Sequence, residues 1–143
     1  MAGEVMATDG VLLQVHESGR RGGPTVVCVH GYPDDHTAWG GVAAELAPRY
    51  HVVSFDVRGA GGSGQPRNRA AYRLDQLAAD LTAVIDAASP DRSVHLLAHD
   101  WGAIQVWHAL TGESLRAATS ALRRARRREI SDVRPSPQRH RAR

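Results

Sequence analysis

The feature that most constrains this 143-residue chain is an apolar run, residues 94–97, that leads into a short turn sequence, Ala98-His99-Asp100-Trp101-Gly102-Ala103. The residues two positions before and two and three positions after Asp100 are all small. A sharp, strained strand-to-helix corner demands this spacing, because larger side chains would collide around the corner residue. The pattern therefore predicts a nucleophile elbow with Asp100 at its tip.

An aspartate at such a corner sets the expected chemistry. A serine there would indicate acyl transfer, whereas a carboxylate attacks carbon and forms an ester with the protein itself. Asp100 is therefore our candidate nucleophile. The competing interpretation is that Asp100 only caps the helix that begins at Trp101, a role that the segment fits equally well when it is considered alone.

Strand and helix patterns alternate along the first 110 residues. The predicted strands cover residues 11–17, 25–30, 51–55 and 93–98, and the predicted helices cover residues 35–47, 74–88 and 101–110. Asp34 or Asp35 stands at the N-cap of the first helix, and Ser89-Pro90 ends the second. This alternation predicts an α/β fold with a mostly parallel sheet and flanking helices.

Two further motifs follow earlier strands. His30-Gly31-Tyr32-Pro33 comes after the second predicted strand, and Asp56-Val57-Arg58-Gly59-Ala60-Gly61-Gly62-Ser63 comes after the third. With the elbow, their order and spacing resemble the HGxP, DxRGxGxS and HDWG motifs of the α/β-hydrolase family, in its epoxide hydrolase branch. The resemblance covers about residues 5–115. It extends to the hydrolase half of fusion proteins that join this fold to a short-chain dehydrogenase.

The resemblance implies a role for each motif residue. Asp100 would be the nucleophile, and the backbone N–H groups of Tyr32 and Trp101 would stabilise the oxyanion when water cleaves the ester. The Trp101 indole would face the leaving group, and His30 would brace its loop rather than take protons. The remaining motif positions would be supporting or structural: Gly31, Pro33, Trp39, Arg58, Ser63, His99 and Gly102.

The resemblance leaves two classes of electrophile open, an epoxide and a haloalkane or haloacid. Tyr32 stands at the third HGxP position, where dehalogenases often carry asparagine, and this favours an epoxide. The family also needs later strands, a lid, an acid and a water-activating histidine after the nucleophile. Only 33 residues follow Leu110, and none has a strand pattern. We therefore expect an N-terminal portion of the fold that lacks the later strands and lid and is inactive alone.

No metal and no cofactor are predicted, and the expected partner is a small-molecule epoxide. The other histidines of the core lack metal-ligand spacing and are interpreted as surface or packing residues: His16, His36, His51, His95 and His108. Gly59, Gly61 and Gly64 match a dinucleotide-binding fingerprint, but helical periodicity resumes only near Leu74. A nucleotide site is therefore not expected.

Charge divides the chain into two parts. Residues 1–111 hold 8 arginines against 12 acidic residues, whereas residues 112–143 hold 10 arginines against 3, and the net charge of the whole is +3. We interpret residues 1–111 as a truncated hydrolase core and residues 112–143 as an arginine-rich tail, helical at first and then disordered.

The tail has two interpretations. It is a basic module that contacts nucleic acid or membrane, or the product of a shifted reading frame in GC-rich DNA. The abrupt change in composition favours the second, so neither contact is expected. The chain shows no secretory signal and no membrane span, which predicts a cytoplasmic location. A strand ending at Asp100 with no partner on its far side would favour self-association.

Overall fold

The computed structural model describes residues 2–112. Over this range five strands and three α-helices follow one another, with a 3-10 helix before α1 and another before α2. The strands are β1 (Ala2–Met6), β2 (Leu12–Gly19), β3 (Thr25–Val29), β4 (His51–Phe55) and β5 (Val94–Ala98). The helices are α1 (Gly40–Leu46), α2 (Leu74–Ala88) and α3 (Trp101–Thr111), and the 3-10 helices are His36–Trp39 and Arg69–Tyr72.

The five strands form one sheet in the order β1-β2-β4-β3-β5. β3 pairs in parallel with both β4 and β5, whereas β2 is antiparallel to both of its neighbours. Four of the five strands therefore point in one direction, and only β2 runs against them. The predicted α/β fold with flanking helices is confirmed, and β1 is an additional strand that the sequence pattern did not predict.

The two central strands, β3 and β4, are buried along their whole lengths. Successive side chains of a strand point to opposite faces, so each strand contributes to two apolar clusters. Val27 and Val29 pack with residues of α2 and α3, and Val26 and Cys28 pack with Trp39 on the other face. Burial raises the pKa of the Cys28 thiol to about 11, so Cys28 is a neutral packing residue of this second cluster.

The predicted helix over residues 35–47 is present in two pieces, the first 3-10 helix and α1. The Asp35 carboxylate accepts a 2.8 Å hydrogen bond from the backbone N–H of Thr37, which confirms an N-cap at this point. The change from 3-10 to α-helix falls at Gly40, next to Gly41. Two adjacent glycines weaken helix propensity here, and this explains the break.

On the far side of the sheet, β5 pairs with no second strand within residues 2–112. No helix in this range is long and apolar enough to cross a membrane. The helical and disordered segments predicted for the tail lie outside the described residues.

Candidate active site

Asp100 stands at the corner between β5 and α3, where the sequence pattern predicted an elbow. Its backbone has φ 52° and ψ −133°, and it is the one non-glycine residue with positive φ among residues 2–112. Such a conformation costs about 1–3 kcal/mol and persists only where the surrounding structure enforces it. The corner leaves the Asp100 side chain exposed to solvent.

Two glycines allow the close approach that forms this corner. A Cβ built on Gly31 would lie 2.7 Å from the Cβ of Asp100 and closer still to its Oδ2. A Cβ built on Gly102 would lie 2.6 Å from the carbonyl oxygen of His30. Any larger residue at either position would push the HGxP loop away from the start of α3.

Two backbone N–H groups stabilise the charge of the Asp100 carboxylate. The N–H of Tyr32 donates a hydrogen bond to Oδ2 at 3.1 Å, and the N–H of Trp101, the next residue in the chain, adds to the stabilisation. The Trp101 and Tyr32 donors hold the pKa of Asp100 below its ordinary value, because they stabilise the ionised form. Asp100 is therefore a carboxylate at neutral pH, with Oδ2 fixed in position.

His30 is buried and engages the backbone with both ring nitrogens. Nε2 accepts a hydrogen bond from the N–H of Val57 at 2.9 Å, so the ring proton lies on Nδ1 and is donated to the carbonyl oxygen of Gly31 at 2.8 Å. The ring therefore joins the HGxP loop to the segment after β4, and neither nitrogen is available to take a proton from a ligand.

A cleft of about 580 Å³ lies against these motifs. Gly31, Tyr32 and Trp101, which flank Asp100, form part of its lining, together with the segment after β4. The side chains of Tyr32 and Trp101 are 81% and 54% exposed and face open solvent. The volume suits a small organic molecule.

The other motif positions surround this cleft without contributing a reactive group. Pro33 follows Tyr32 through a cis peptide bond and lines the cleft. The His99 ring lies 5.1 Å from the ring of Trp39, and its Nε2 lies 3.9 Å from an oxygen of the exposed Asp34. Trp39 itself packs in the core under α1.

Arg58 is buried and holds together three segments. Its guanidinium donates two hydrogen bonds to the buried Asp80, at 2.6 and 2.7 Å, and two to Asp9, at 2.8 and 3.0 Å. Burial alone would lower the pKa of Arg58, but the two carboxylates more than offset it and the pKa is raised. These contacts fit the structural role that the sequence resemblance implied.

The position of the Asp56 carboxylate explains why glycines occupy the loop after β4. The N–H of Gly62 donates to Asp56 Oδ2 at 2.8 Å, and a Cβ on Gly61 would collide with the same carboxylate. The Ser63 hydroxyl donates to the Asp56 carbonyl oxygen. The loop does not open into a helix, since α2 begins only at Leu74. It therefore lacks the helix N-terminus that a dinucleotide site needs.

One cluster was not predicted from the sequence. His16, His36 and Asp56 come together beside this loop, with one ligand-type atom of each within 4.8 Å of the others. They stand 20 residues apart in the chain, which is not a metal-ligand spacing. The pairing of β2 with β4 sets His16 opposite Ser54, and the 3-10 helix after the HGxP loop brings His36 to Asp56.

Among the described residues after Asp100, the one histidine is His108. Its Nε2 lies 2.7 Å from Oδ1 of Asp75 on α2, and it is not part of the cleft lining. The pair joins α2 to α3 at the surface, as predicted for a surface or packing histidine. Residues 2–112 thus place the Asp100 carboxylate, with the Tyr32 N–H bonded to it, beside the cleft, and the histidine that lines the cleft, His30, has both ring nitrogens bonded to the backbone.

The fold and these motifs define a class of protein. Residues 24–120 match the family described as the alpha/beta hydrolase fold, and the chain belongs to that family.

Proteins similar to this chain include epoxide hydrolases. The chain is 47% identical over 106 residues to the probable oxidoreductase EphD of Mycobacterium tuberculosis, a match that spans 74% of this chain and 18% of that relative. It is 42% identical over 103 residues to epoxide hydrolase A of the same organism. This match spans 71% of this chain and 32% of that relative. The chain therefore matches a third or less of the length of these relatives.

Solved structures show the same similarity. The epoxide hydrolase VrEH1 from Vigna radiata superposes with a TM-score of 0.71 at 33% identity, over 76% of this chain and 34% of that one. Epoxide hydrolase A from Mycobacterium thermoresistibile superposes with a TM-score of 0.68 at 37% identity, over 76% of this chain and 34% of that one. The predicted resemblance to the epoxide hydrolase branch is confirmed, and the described residues correspond to the N-terminal portion of the fold.

Proposed function

We propose that this chain carries the nucleophile of an epoxide hydrolase-type site, and that Asp100 attacks an epoxide carbon. The observation that carries the proposal is the hydrogen bond from the Tyr32 N–H to the Asp100 carboxylate at a strained strand-to-helix corner. The lowered pKa of Asp100 supports it, since a nucleophile must be ionised. The epoxide hydrolases among the similar proteins support the choice of electrophile.

The proposed first step uses one oxygen of the carboxylate. The free oxygen of Asp100 forms a bond to an epoxide carbon, the C–O bond of the ring breaks, and its electron pair stays on the epoxide oxygen. The alkoxide takes a proton from water, because the cleft is open to solvent. Oδ2 remains bonded to the Tyr32 N–H and becomes the ester carbonyl oxygen, so this donor is already directed at the atom that would carry charge during hydrolysis.

The second step requires a water-activating base. Within residues 2–112 the histidine that lines the cleft is His30, and its ring nitrogens are both hydrogen-bonded to the backbone. We therefore expect these residues to form the ester and not to hydrolyse it rapidly. The protein should gain the mass of one epoxide and keep it.

Intact-protein mass spectrometry with styrene oxide tests this proposal. The wild type should gain one epoxide mass, Asp100→Asn should gain none, and Asp34→Asn should react like the wild type. Asp34 is a matched control because it is an exposed carboxylate that lines the same cleft. Equal labelling of wild type and Asp100→Asn would support the alternative of a non-catalytic fragment or interaction module.

A haloalkane is the competing electrophile. The exposed Trp101 beside Asp100 favours it, because an indole N–H can bind a departing halide. Parallel labelling with styrene oxide and 1-iodobutane separates the two, and we expect the epoxide to react faster. A small-molecule partner and a cytoplasmic location are part of the same proposal.

A further inference from the structure

Three side chains with metal-binding chemistry meet next to the cleft. His16 belongs to β2, His36 begins the 3-10 helix after the HGxP loop, and Asp56 directly follows β4. Asp35 and Val57, their neighbours in sequence, line the cleft. The cluster therefore joins the sheet to the two loops that form the candidate active site, but it does not include Asp100.

The carboxylate of Asp56 is the centre of the cluster and is almost fully buried. His36 Nδ1 lies 2.7 Å from Oδ1, and His16 Nε2 lies 3.9 Å from Oδ2. The two imidazole rings are stacked, with centroids 3.4 Å apart and planes 10° from parallel. Both rings thus present a nitrogen to one carboxylate.

His16 Nε2 is the atom that requires explanation. It is buried, and it has no hydrogen-bond partner among the described residues. Buried polar atoms are almost always paired with a protein group, a water or an ion, so an unpaired one indicates a missing partner. The gap of 3.9 Å to Asp56 is too long for a hydrogen bond, and one bridging atom would fill it.

We propose that His16 Nε2, His36 Nδ1 and the Asp56 carboxylate bind a divalent transition-metal ion of the Zn²⁺, Co²⁺ or Ni²⁺ class. Two imidazoles select such ions over Mg²⁺ and Ca²⁺, which prefer oxygen ligands. Metal–ligand distances of about 2.0–2.2 Å in a tetrahedral site separate the ligand atoms by roughly 3.2–3.6 Å. The observed separations of 2.7 and 3.9 Å lie on either side of that range.

Metal binding requires two local changes in the cluster. The hydrogen bond between His36 and Asp56 is exchanged for bonds to the ion, and the stacked rings tilt so that their lone pairs converge. Asp56 is already oriented by the N–H groups of Gly62 and His36, both at 2.8 Å. The two imidazole side chains are 29% and 28% exposed, so water can reach a fourth coordination position. The ion would brace β2 against both cleft loops.

Titration of the full chain, prepared without a polyhistidine tag, with Co²⁺ and Zn²⁺ tests this site. The wild type should bind one equivalent of Co²⁺ with visible d–d absorption, and Zn²⁺ should displace it. His36→Gln keeps a hydrogen-bond donor near Asp56 but removes the imidazole, and it should weaken Co²⁺ binding by at least about tenfold. His95→Ala, which removes an exposed histidine elsewhere on the sheet, should bind like the wild type.

Two results would overturn the site. One is that the wild type shows no saturable binding of one equivalent of Co²⁺. This result does not depend on whether any variant folds. The other is a His36→Gln protein, folded by circular dichroism, that binds Co²⁺ as tightly as the wild type. Asp100→Asn should bind the metal unchanged, so this inference and the proposed function fail or succeed separately.

Discussion

The backbone N–H of Tyr32 donates a 3.1 Å hydrogen bond to Oδ2 of Asp100, although 68 residues separate the two in sequence. Parallel pairing of β3 with β5 produces this contact. Val29 stands opposite Ala98, so the loops that leave the two strands begin side by side at the carboxyl edge of the sheet. Ligand sites of α/β sheets lie at such edges. The HGxP and HDWG motifs form one site because adjacent strands deliver them.

The close approach of Gly31 to Asp100 predicts that Gly31→Ala blocks ester formation. The added Cβ overlaps Oδ2 and displaces either the carboxylate or the Tyr32 N–H. A displacement of about 1 Å lowers rates by on the order of 100-fold, and we expect that loss in the labelling rate with styrene oxide. The control is Gly41→Ala, where a Cβ meets open space. Labelling of Gly31→Ala at the wild-type rate would show that the contact is dispensable.

The buried pair of Arg58 and Asp80 predicts a large loss of stability on removal of one partner. Asp80→Ala leaves the Arg58 charge buried with only the partly exposed Asp9, and we expect unfolding free energy to fall by about 3–5 kcal/mol. Asp9→Ala should cost less, because that carboxylate is one-third exposed. Urea denaturation measures both, and equal losses would contradict the assignment of Asp80 as the principal partner.

The lowered pKa of Asp56 predicts that the free energy of unfolding depends on pH. Burial alone would raise the pKa of Asp56, but the N–H groups of Gly62 and His36 and the His36 ring more than offset it, so the pKa is lowered. A carboxyl whose pKa is lower in the folded state binds protons more readily when unfolded. Its contribution is therefore complete above the ordinary carboxyl pKa of about 4 and is lost as pH falls below it.

Urea midpoints measured between pH 7 and pH 3 check this dependence. The wild type should lose stability mainly below about pH 4, and Asp56→Asn should show a shallower decline over that interval from a lower starting value. Parallel declines in the two proteins would assign the acid sensitivity to other carboxyls, such as Asp9 or Asp35, whose pKa values are also lowered.

The exposed face of α3 predicts self-association. The β5 edge has no second strand partner in the described part of the chain. The large apolar side chains of α3 are 44–68% exposed: Trp101, Ile104, Trp107 and Leu110. Apolar patches and open strand edges of this kind drive association. Size-exclusion chromatography with light scattering should show a mass that rises with concentration. Trp107→Glu should reduce it more than Val42→Glu, which alters an exposed apolar residue of α1. A concentration-independent monomer would contradict this expectation.

The elements that sequence patterns predict are those with strong local signals. β3 and β4 are rich in β-branched and apolar residues, and α2 has clear helical periodicity, so their existence and order follow from the sequence. β1 was missed because it is a mostly exposed edge strand whose apolar residues do not alternate against a core. Its position is decided by antiparallel pairing with β2, which no local pattern encodes.

The residues of the candidate site also fall into two groups, those that a local sequence pattern predicts and those that it does not. Asp100 and Gly102 could be found because an elbow imposes small residues at fixed spacing, and Gly31 because residues 30–33 resemble the HGxP motif. The cluster of His16, His36 and Asp56 could not be found, because strand register rather than sequence spacing brings it together.

Peptide mapping after reaction with styrene oxide shows directly which side chain of the protein attacks an epoxide. Trypsin cleaves after Arg92 and Arg116 and releases residues 93–116, in which Asp100 and Glu113 are the two carboxylates. If Asp100 is the nucleophile, this peptide gains one epoxide mass, which fragmentation locates at Asp100 and which is absent from Asp100→Asn. An adduct located on Glu113, on another peptide, or equally on wild type and Asp100→Asn would contradict the assignment of Asp100 as a nucleophile.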